Sequence, residues 1–443
     1  MRMLVLMACM PKKPTIGHPQ EFAIFHIANK NPPLAVAKAD NYVLISLMGA
    51  RKTIPVHVES GDLDDLSQTP AKVAAIRADL LEQYNKQHSR PWIIAYSGGK
   101  DSTLLLQLVF ETVLAVPPEK RKRVVHIVAN DTQVESPLVI NHLNKSIIEI
   151  RRAIDKNSLP MAAKITSPNT DDTFWVNVIG RGYIPPTRNF RWCTDRLKIR
   201  PTTEFITRLT RAQKHTILLV GTRKAESVNR KRRMEKHARQ TRGKMSPHST
   251  IQNCKIFSPI AELTDNEVWA TLLQSRPPWG GTHRKLITLY RNAGGGECPL
   301  VLTKDDAPSC GTTSPRFGCW TCTVIKKDRS LGGLIDAGHE DLEPLYDFRE
   351  WLLKLRENDK NRMRKRRNGS SKYREDGSLV RGPFTMDVRD KIKRKLEGLE
   401  RETGMKLISP AEKDIIKEIW RVDKAQYECR LAFAKVFSKE ATL

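Results

Sequence analysis

Six consecutive residues, Ser97-Gly98-Gly99-Lys100-Asp101-Ser102, gather more phosphate-binding chemistry than any other stretch of the chain. Two adjacent glycines let the backbone turn tightly and approach a ligand. Ser97, Ser102 and the next residue, Thr103, add hydroxyl donors, and Lys100 adds a point charge. The free amides of a helix starting here, with its positive dipole end, would add to the pull on an anion. The loop is not the common GxxxxGK[ST] type, because no glycine stands five positions before Gly99.

Four other groups carry chemistry. Asp131 follows the apolar run Arg123 to Ala129, where a carboxylate at a strand end faces the ligand crevice of a parallel sheet. Cys193 stands among Arg191, Arg196, Lys198 and Arg200, just before an expected helix. A helix start and nearby cations lower a thiol pKa, so Cys193 is a candidate nucleophile or persulfide carrier. Gly221-Thr222-Arg223 ends another apolar run, and Arg223 has the fork to bind a phosphate or AMP. Cys298, Cys310, Cys319 and Cys322 are spaced Cys-x11-Cys-x8-Cys-x2-Cys. Such thiolates can close on one metal, and the spacing fits zinc or an iron–sulfur cluster, with zinc the simpler reading.

The elements that must position these groups follow from periodicity. Pro91 to Tyr96, Arg123 to Ala129, Met161 to Thr166 and His215 to Val220 read as buried strands, and Ile256 to Ile260 closes the sheet. Helices alternate with them: Leu104 to Val113 after the glycine loop, and Glu135 to Ile154 after Asp131. An amphipathic helix, Ser67 to Gln87, precedes the first strand. The alternation predicts an α/β fold with a doubly wound parallel sheet, followed by a cysteine loop region and a C-terminal helical subdomain.

Four regions are expected: residues 1–66, a motif-free extension; 67–262, the α/β domain; 263–342, helical with the cysteine cluster; and 343–443, basic and helical. In the third, Thr264-Asp265-Asn266-Glu267 is a capping box. In the last, Pro410 to Trp420 and Asp423 to Val436 read as separate helices.

Seventy-six Lys and Arg against 49 acids give a net charge of +27, which calls for a polyanionic partner, most simply nucleic acid. Arg223 to Lys244 holds ten cations against two acids and reads as a mobile basic loop. Lys354 to Arg374 has the same balance and is broken by Asn368-Gly369-Ser370-Ser371, which reads as a disordered loop or one that DNA would order. No apolar run approaches a membrane span, and Met3 to Met10 lacks the organisation of a signal peptide, so a cytoplasmic protein is expected. Eight cysteines, half of them clustered, then mean a metal site rather than disulfides.

The hexapeptide resembles the PP-loop of the ATP pyrophosphatases, which is similar to SGGxDS. With Asp131-Thr132, Trp192-Cys193-Thr194, Gly221-Thr222-Arg223 and the four cysteines in this order, residues 67–380 resemble the DndC-type sulfurtransferases of DNA phosphorothioation. These belong to the phosphoadenosine-phosphosulfate-reductase-like branch. The resemblance implies ATP pyrophosphatase activity with Mg²⁺, and a [4Fe–4S] cluster on Cys298, Cys310, Cys319 and Cys322, which reverses the preference for zinc. It also implies DNA as substrate, a cysteine desulfurase as sulfur donor, and further phosphorothioation proteins as partners. Ser97, Gly98, Gly99 and Ser102 would hold pyrophosphate, Lys100 would offset developing charge, Asp101 or Asp131 would hold the metal, Arg223 would steady the α-phosphate, and Cys193 would carry sulfur. The rival readings are a tRNA thiolation enzyme of the same class and a non-enzymatic, zinc-stabilised DNA-binding module that binds ATP.

Overall fold

The computed structural model describes residues 24–25, 34–39, 42–47, 54–57, 66–88, 90–240, 244–293 and 317–440. The chain divides into two compact units, residues 1–65 with 302–306, and the remainder. In the first unit, strands β1 (Ile24–Phe25), β2 (Leu34–Ala39), β3 (Tyr42–Leu47) and β4 (Ile54–His57) pair in sequence order as an antiparallel sheet.

The second unit is built on a six-stranded sheet. Helix α1 (Thr69–Asn85) leads into β5 (Trp92–Ala95), α2 (Lys100–Ala115), β6 (Val125–Asn130), α3 (Pro137–Lys156) and β7 (Met161–Thr166). Helix α4 (Arg200–Gln213) returns the chain to β8 (Thr216–Leu219). Then come α5 (Val228–Gln240), β9 (Met245–Pro247) and β10 (Cys254–Phe257). The strand order is β7-β6-β5-β8-β10-β9, parallel except for β9. The chain builds outward from β5 through β6 and β7, then crosses to β8 on the other side of β5. The order therefore reverses between β5 and β8, and the crevice beyond their C-terminal ends is where ligands bind in such sheets.

Burial explains the apolar runs. Trp92, Ile93 and Ile94 have no exposed surface, as expected for a central parallel strand covered on both faces. Helix α2 is apolar nearly all round and is correspondingly buried from Leu104 to Phe110. Arg123, just before β6, bonds the carbonyls of Gln83, Tyr84, Lys86 and Arg90, and so ties the end of α1 to the sheet edge.

A second core gathers the rest. Helices α6 (Asp265–Gln274) and α7 (Arg284–Ala293) close over the sheet, and α8 (Arg329–Asp336), α9 (Glu343–Glu357), α10 (Met386–Thr403) and α11 (Pro410–Glu440) follow. Trp175, Trp192, Trp320, Phe348, Phe384 and Leu396 are buried together, so this core joins the segments around Cys193 and Cys319 to the C-terminal helices.

Three expectations are corrected. The basic stretch after Arg223 is not a loop: residues 228–240 are helix α5, because its Lys, Arg, Met, Glu, Ala and Gln residues are good helix formers. Pro410 to Glu440 is one helix rather than two, since Arg421-Val422 contains no residue that breaks a helix. Asn368-Gly369-Ser370-Ser371 is a hydrogen-bonded turn, with Gly369 N–H donating to Arg366 O at 2.9 Å. Among the described residues no helix is long and apolar enough to cross a membrane.

His283, at the start of α7, is 6% exposed, and its Nε2 lies 2.8 Å from Gln107 Oε1 of α2. Burial, reinforced by His142, lowers its pKa to about 4. The unfolded chain, with an ordinary imidazole near pH 6.5, therefore binds the extra proton first, and stability falls as pH drops from about 6.5 to about 4. Urea unfolding across this window should show a loss of up to roughly 3 kcal/mol, and His283→Gln should flatten the slope by about one proton.

Candidate active site

The glycine loop sits where the sheet predicts a ligand site, at the C-terminal end of β5. Gly98 has φ +74°, a conformation that side chains resist, and a Cβ there would stand 3.3 Å from Leu143 Cδ1. Gly99 is the N-cap of α2, so Lys100, Asp101 and Ser102 form its first turn with their amides at the loop. The two serines brace the turn: their hydroxyl oxygens are 3.1 Å apart, and Ser102 Oγ donates to Gly99 O at 3.0 Å. Ser102 and Thr103 are both buried, but only Ser102 lines the cavity that opens from this turn.

Four charged groups meet beside this turn. Lys100 Nζ lies 3.4 Å from Asp101 Oδ2 and 3.2 Å from Asp265 Oδ1. Arg223 Nε donates to Asp101 Oδ1 at 2.6 Å, Nη1 donates to Leu263 O at 3.2 Å, and Nη2 bonds Asp265 Oδ1. Burial alone would lower the Arg223 pKa, but Asp101 and Asp265 outweigh it and raise it. Arg223 is 1% exposed. The sequence offers Arg223 as a direct phosphate ligand, whereas its guanidinium is engaged by the two carboxylates. Lys100 meets the same two carboxylates at longer distances than Arg223 does, and Tyr290 lies beside it with its ring centre 5.6 Å from Nζ.

A cavity of about 740 Å³ opens from this turn. Its walls include Ser97 to Ser102, Arg223, Asp265 and Tyr290, and it runs to Asn130, Glu135 and Lys198. Asp131 is not on its wall. Its carboxylate accepts the Gln133 N–H at 2.7 Å, and burial raises its pKa. Asn130, one residue earlier, lines the cavity and donates to Leu197 O at 2.8 Å, pinning the turn after Cys193 to the end of β6.

Behind the cavity wall formed by Lys198 and Glu135 lie the cysteines: Cys319 Sγ is 3.9 Å from Glu135 Oε1. Cys193 begins a wide turn of π type, Thr194–Ile199, that runs into α4. Lys198 Nζ is 3.3 Å from Glu135 Oε1. Burial works against its charge, but Cys319 and Cys193, when they carry thiolate charge, and Glu135 raise its pKa. Cys319 pairs backbone with Glu135, and its sulfur lies 3.4 Å from Thr132 Oγ1. Cys322 closes the Cys-x2-Cys turn by donating its N–H to Cys319 O at 2.9 Å.

The expected low pKa of Cys193 is corrected. Burial raises it, and a Cys322 charge adds to that rise. The neighbouring cations are taken: Arg196 and Arg200 both bond Asp172, and Arg200 also bonds Asp195 at 2.9 Å. Only Lys198 pulls the other way with charge. Cys319 is raised as well, by burial and then by Glu135. Cys298 and Cys310 lie outside the described residues, and among the described residues no three His, Cys, Asp or Glu side chains form a metal site.

Two features fit a thiolate-bound group at the Cys319–Cys322 turn. Thr321, inside the turn, is fully buried, and its hydroxyl has no partner among the described residues. Lys198 supplies the positive charge that anionic sulfur needs.

Sequence reasoning missed Asp265, Glu135 and Tyr290. Asp265 reads as part of a capping box and is the first residue of α6, after the Thr264 cap, but it also follows the last strand and lines the ligand cavity. Gly221 shows why the two halves of the site meet. A Cβ there would lie 3.0 Å from the Asp101 carbonyl and 3.1 Å from Ser102 N. Gly221→Ala should push the β8 end off the first turn of α2, costing about 1–3 kcal/mol and weakening nucleotide binding. Gly332→Ala, inside α8 with open space around it, is the control and should leave stability unchanged or raise it by up to about 1 kcal/mol. Thermal melting with and without ATP reads both.

The phosphoadenosine phosphosulfate reductase domain model matches residues 91–325, from the start of β5 to just past Cys322. An uncharacterized protein of Methanocaldococcus jannaschii is 25% identical over 196 residues, 44% of this chain and 34% of the relative. The chain thus spans about a third of the length of the curated relative it matches. Among solved structures, phosphoadenylyl-sulfate reductase from Candida auris is similar over 49% of this chain and 87% of its own, with TM-score 0.29 and 11% identity. The U34-tRNA thiolase from Methanococcus maripaludis, with its [4Fe–4S] cluster, covers 65% and 78%, with TM-score 0.31 and 13% identity. FMN adenylyltransferase from Candida glabrata covers 76% and 86%, with TM-score 0.33 and 13% identity. At these scores the superpositions bear on neither substrate nor mechanism. The family match spans more than half of the chain and takes in both the glycine loop and the Cys-x2-Cys turn, so this chain belongs to the phosphoadenosine phosphosulfate reductase domain family.

Proposed function

We propose that this protein is an ATP-dependent sulfurtransferase that thiolates the DNA backbone, with a cysteine desulfurase as sulfur source and other phosphorothioation proteins as partners. One observation carries the reading. A single cavity has the Ser97–Ser102 phosphate loop on one wall and, on another, the Lys198–Glu135 pair that touches Cys319. Activation of an oxygen and delivery of sulfur need these two chemistries side by side.

The steps follow from the groups present. A phosphodiester oxygen leaves poorly. Its attack on the α-phosphorus of ATP forms a P–O bond, expels pyrophosphate and turns that oxygen into part of AMP, a good leaving group. Ser97, Gly98, Gly99 and Ser102 receive the departing pyrophosphate, and Lys100 offsets its charge. Lys100 can do so by exchanging Asp101 and Asp265 for phosphate oxygens. Those carboxylates, still held by Arg223, would then be free to hold the Mg²⁺ that accompanies ATP. The terminal sulfur of a persulfide on Cys193 attacks the activated phosphorus, and AMP leaves with the oxygen. A second, external thiol then cleaves the S–S bond, releasing the phosphorothioate and ending as a disulfide.

Cys319 and Cys322, with Cys298 and Cys310, would hold a [4Fe–4S] cluster, which when bound supplies a redox-active, sulfur-binding centre. The protein's own contribution there is the buried turn and the Lys198 ammonium. The strongly basic chain, with helix α5 beginning near the cavity through Arg230, supplies a polyanion's counter-charge.

Lys100→Ala should reduce pyrophosphate release from ATP by about a hundredfold to a thousandfold if the loop stabilises departing charge, while leaving the melting temperature within a few degrees. The complete reaction, run anaerobically with desulfurase, ATP and DNA, should yield nuclease-resistant phosphorothioate dinucleotides. Thiolated tRNA with unmodified DNA would replace this reading by tRNA thiolation. A protein that binds ATP and never releases pyrophosphate would be a binding module.

A further inference from the structure

Two aromatic side chains stand well exposed, Phe190 at 44% and Tyr373 at 61%. Both stand in cation-rich loops, and neither loop belongs to the nucleotide cavity.

Tyr373 is carried on an arm. Residues 362–384 fold back on themselves: Arg362 pairs with Phe384, Gly382 N–H donates to Met363 O at 2.7 Å, and Val380 N–H donates to Lys372 O at 2.8 Å. Two turns, closed by Arg366 N–H to Ser370 O at 2.8 Å and Arg374 N–H to Ser378 O at 2.9 Å, make up its outer part. From Arg362 to Arg381 it holds eight Lys or Arg against two acids. The arm is fixed at its root. Phe384 is fully buried and donates its N–H to Gly182 O at 2.7 Å, and Arg367 pairs with Asp423 of α11 at 2.7 Å.

Phe190 is at the tip of a turn closed by paired bonds with Thr187 and flanked by Arg188 and Arg191. It is the outer end of a chain of rings. Phe190 is 6.3 Å from Tyr183, and Tyr183 is 5.7 Å from Trp192, the residue before Cys193. The arm is rooted beside the Phe190 turn: its root bonds Gly182, Arg367 reaches Arg181 O at 3.4 Å, and Tyr183, next to Gly182, meets Phe190.

An exposed aromatic alone means little. Two of them, on hydrogen-bonded turns among arginines and lysines, match the pairing of stacking platform and backbone counter-charge that binds unpaired nucleic acid. A closed duplex hides its base faces in the stack and offers such rings nothing to stack on. We infer that Phe190 and Tyr373 are base-stacking residues and that, with the cationic 362–381 arm, they hold single-stranded or locally opened DNA beside the Cys193 turn. The inference rests on the proposed reading that nucleic acid is the substrate, and names its strand state.

The test uses the full-length protein, a fluorescent oligo(dT) of about twelve nucleotides, the matching duplex and oligo(U). Wild type should bind oligo(dT) more tightly than duplex. Phe190→Ala with Tyr373→Ala should weaken oligo(dT) binding by about tenfold or more, leave duplex binding within about twofold, and leave the salt dependence unchanged. Tyr373→Phe should retain wild-type affinity, which separates stacking from misfolding. Arg364→Gln with Arg366→Gln should weaken both DNAs and flatten the salt dependence. Wild-type oligo(dT) affinity in the double alanine variant, a preference for duplex, or a tenfold preference for oligo(U) would each overturn the inference. The proposed activity is read separately: phosphorothioate made by a protein whose aromatic variants still bind oligo(dT) normally sinks this inference alone. Stacking-dependent binding with no phosphorothioate sinks the activity alone.

Discussion

Two cations and two carboxylates packed at the reversal point of the sheet hold the site together. Arg223, almost without solvent contact, would carry a prohibitive desolvation cost if left unpaired, so Asp101 and Asp265 must both reach it. That requirement fixes three chain segments at once: the turn after β8, the first turn of α2 and the start of α6. Gly221 makes the approach possible, since the Asp101 backbone occupies the space a side chain would need. The glycine loop is thereby held ready for phosphate before any arrives, with the paired carboxylates of Asp101 and Asp265 beside it.

The second core plays the same part for sulfur. Trp192, Trp320 and the C-terminal helices bury the segments bearing Cys193 and Cys319, and that burial pushes these two thiols up rather than down. Left to themselves, these sulfurs are protonated and unreactive. Lys198 is the group that can favour a charged sulfur, and it also borders the nucleotide cavity. Reactivity at this end of the site therefore depends on what occupies it: a bound thiolate centre, or a sulfur delivered as a persulfide, whose acidity exceeds that of a thiol.

The sheet and the glycine loop were legible because they rest on local signals. Met161 to Thr166 is the strand the apolar run describes, and Thr264 is the cap its spacing describes. The sequence could not show what depends on partners far along the chain. Arg223 looks like a phosphate ligand until Asp265, forty-two positions away, is seen to hold it. Arg196 and Arg200 look like activators of Cys193 until Asp172 is seen to neutralise them. Helix α5 was hidden by its own charge: a segment without an apolar stripe gives no periodicity, although its residues favour helix.

The central claim is that one cavity places the leaving pyrophosphate against the glycine loop and the activated phosphorus toward Lys198 and the thiols. A crystal structure grown with a non-hydrolysable ATP analogue tests this most directly. The account predicts β- and γ-phosphates on the amides of Gly98 to Ser102, Lys100 drawn away from Asp265 onto phosphate oxygen, and the α-phosphorus facing the Lys198 side of the cavity. Triphosphate bound elsewhere, or bound with the α-phosphorus turned away from Lys198 and Cys193, would contradict it.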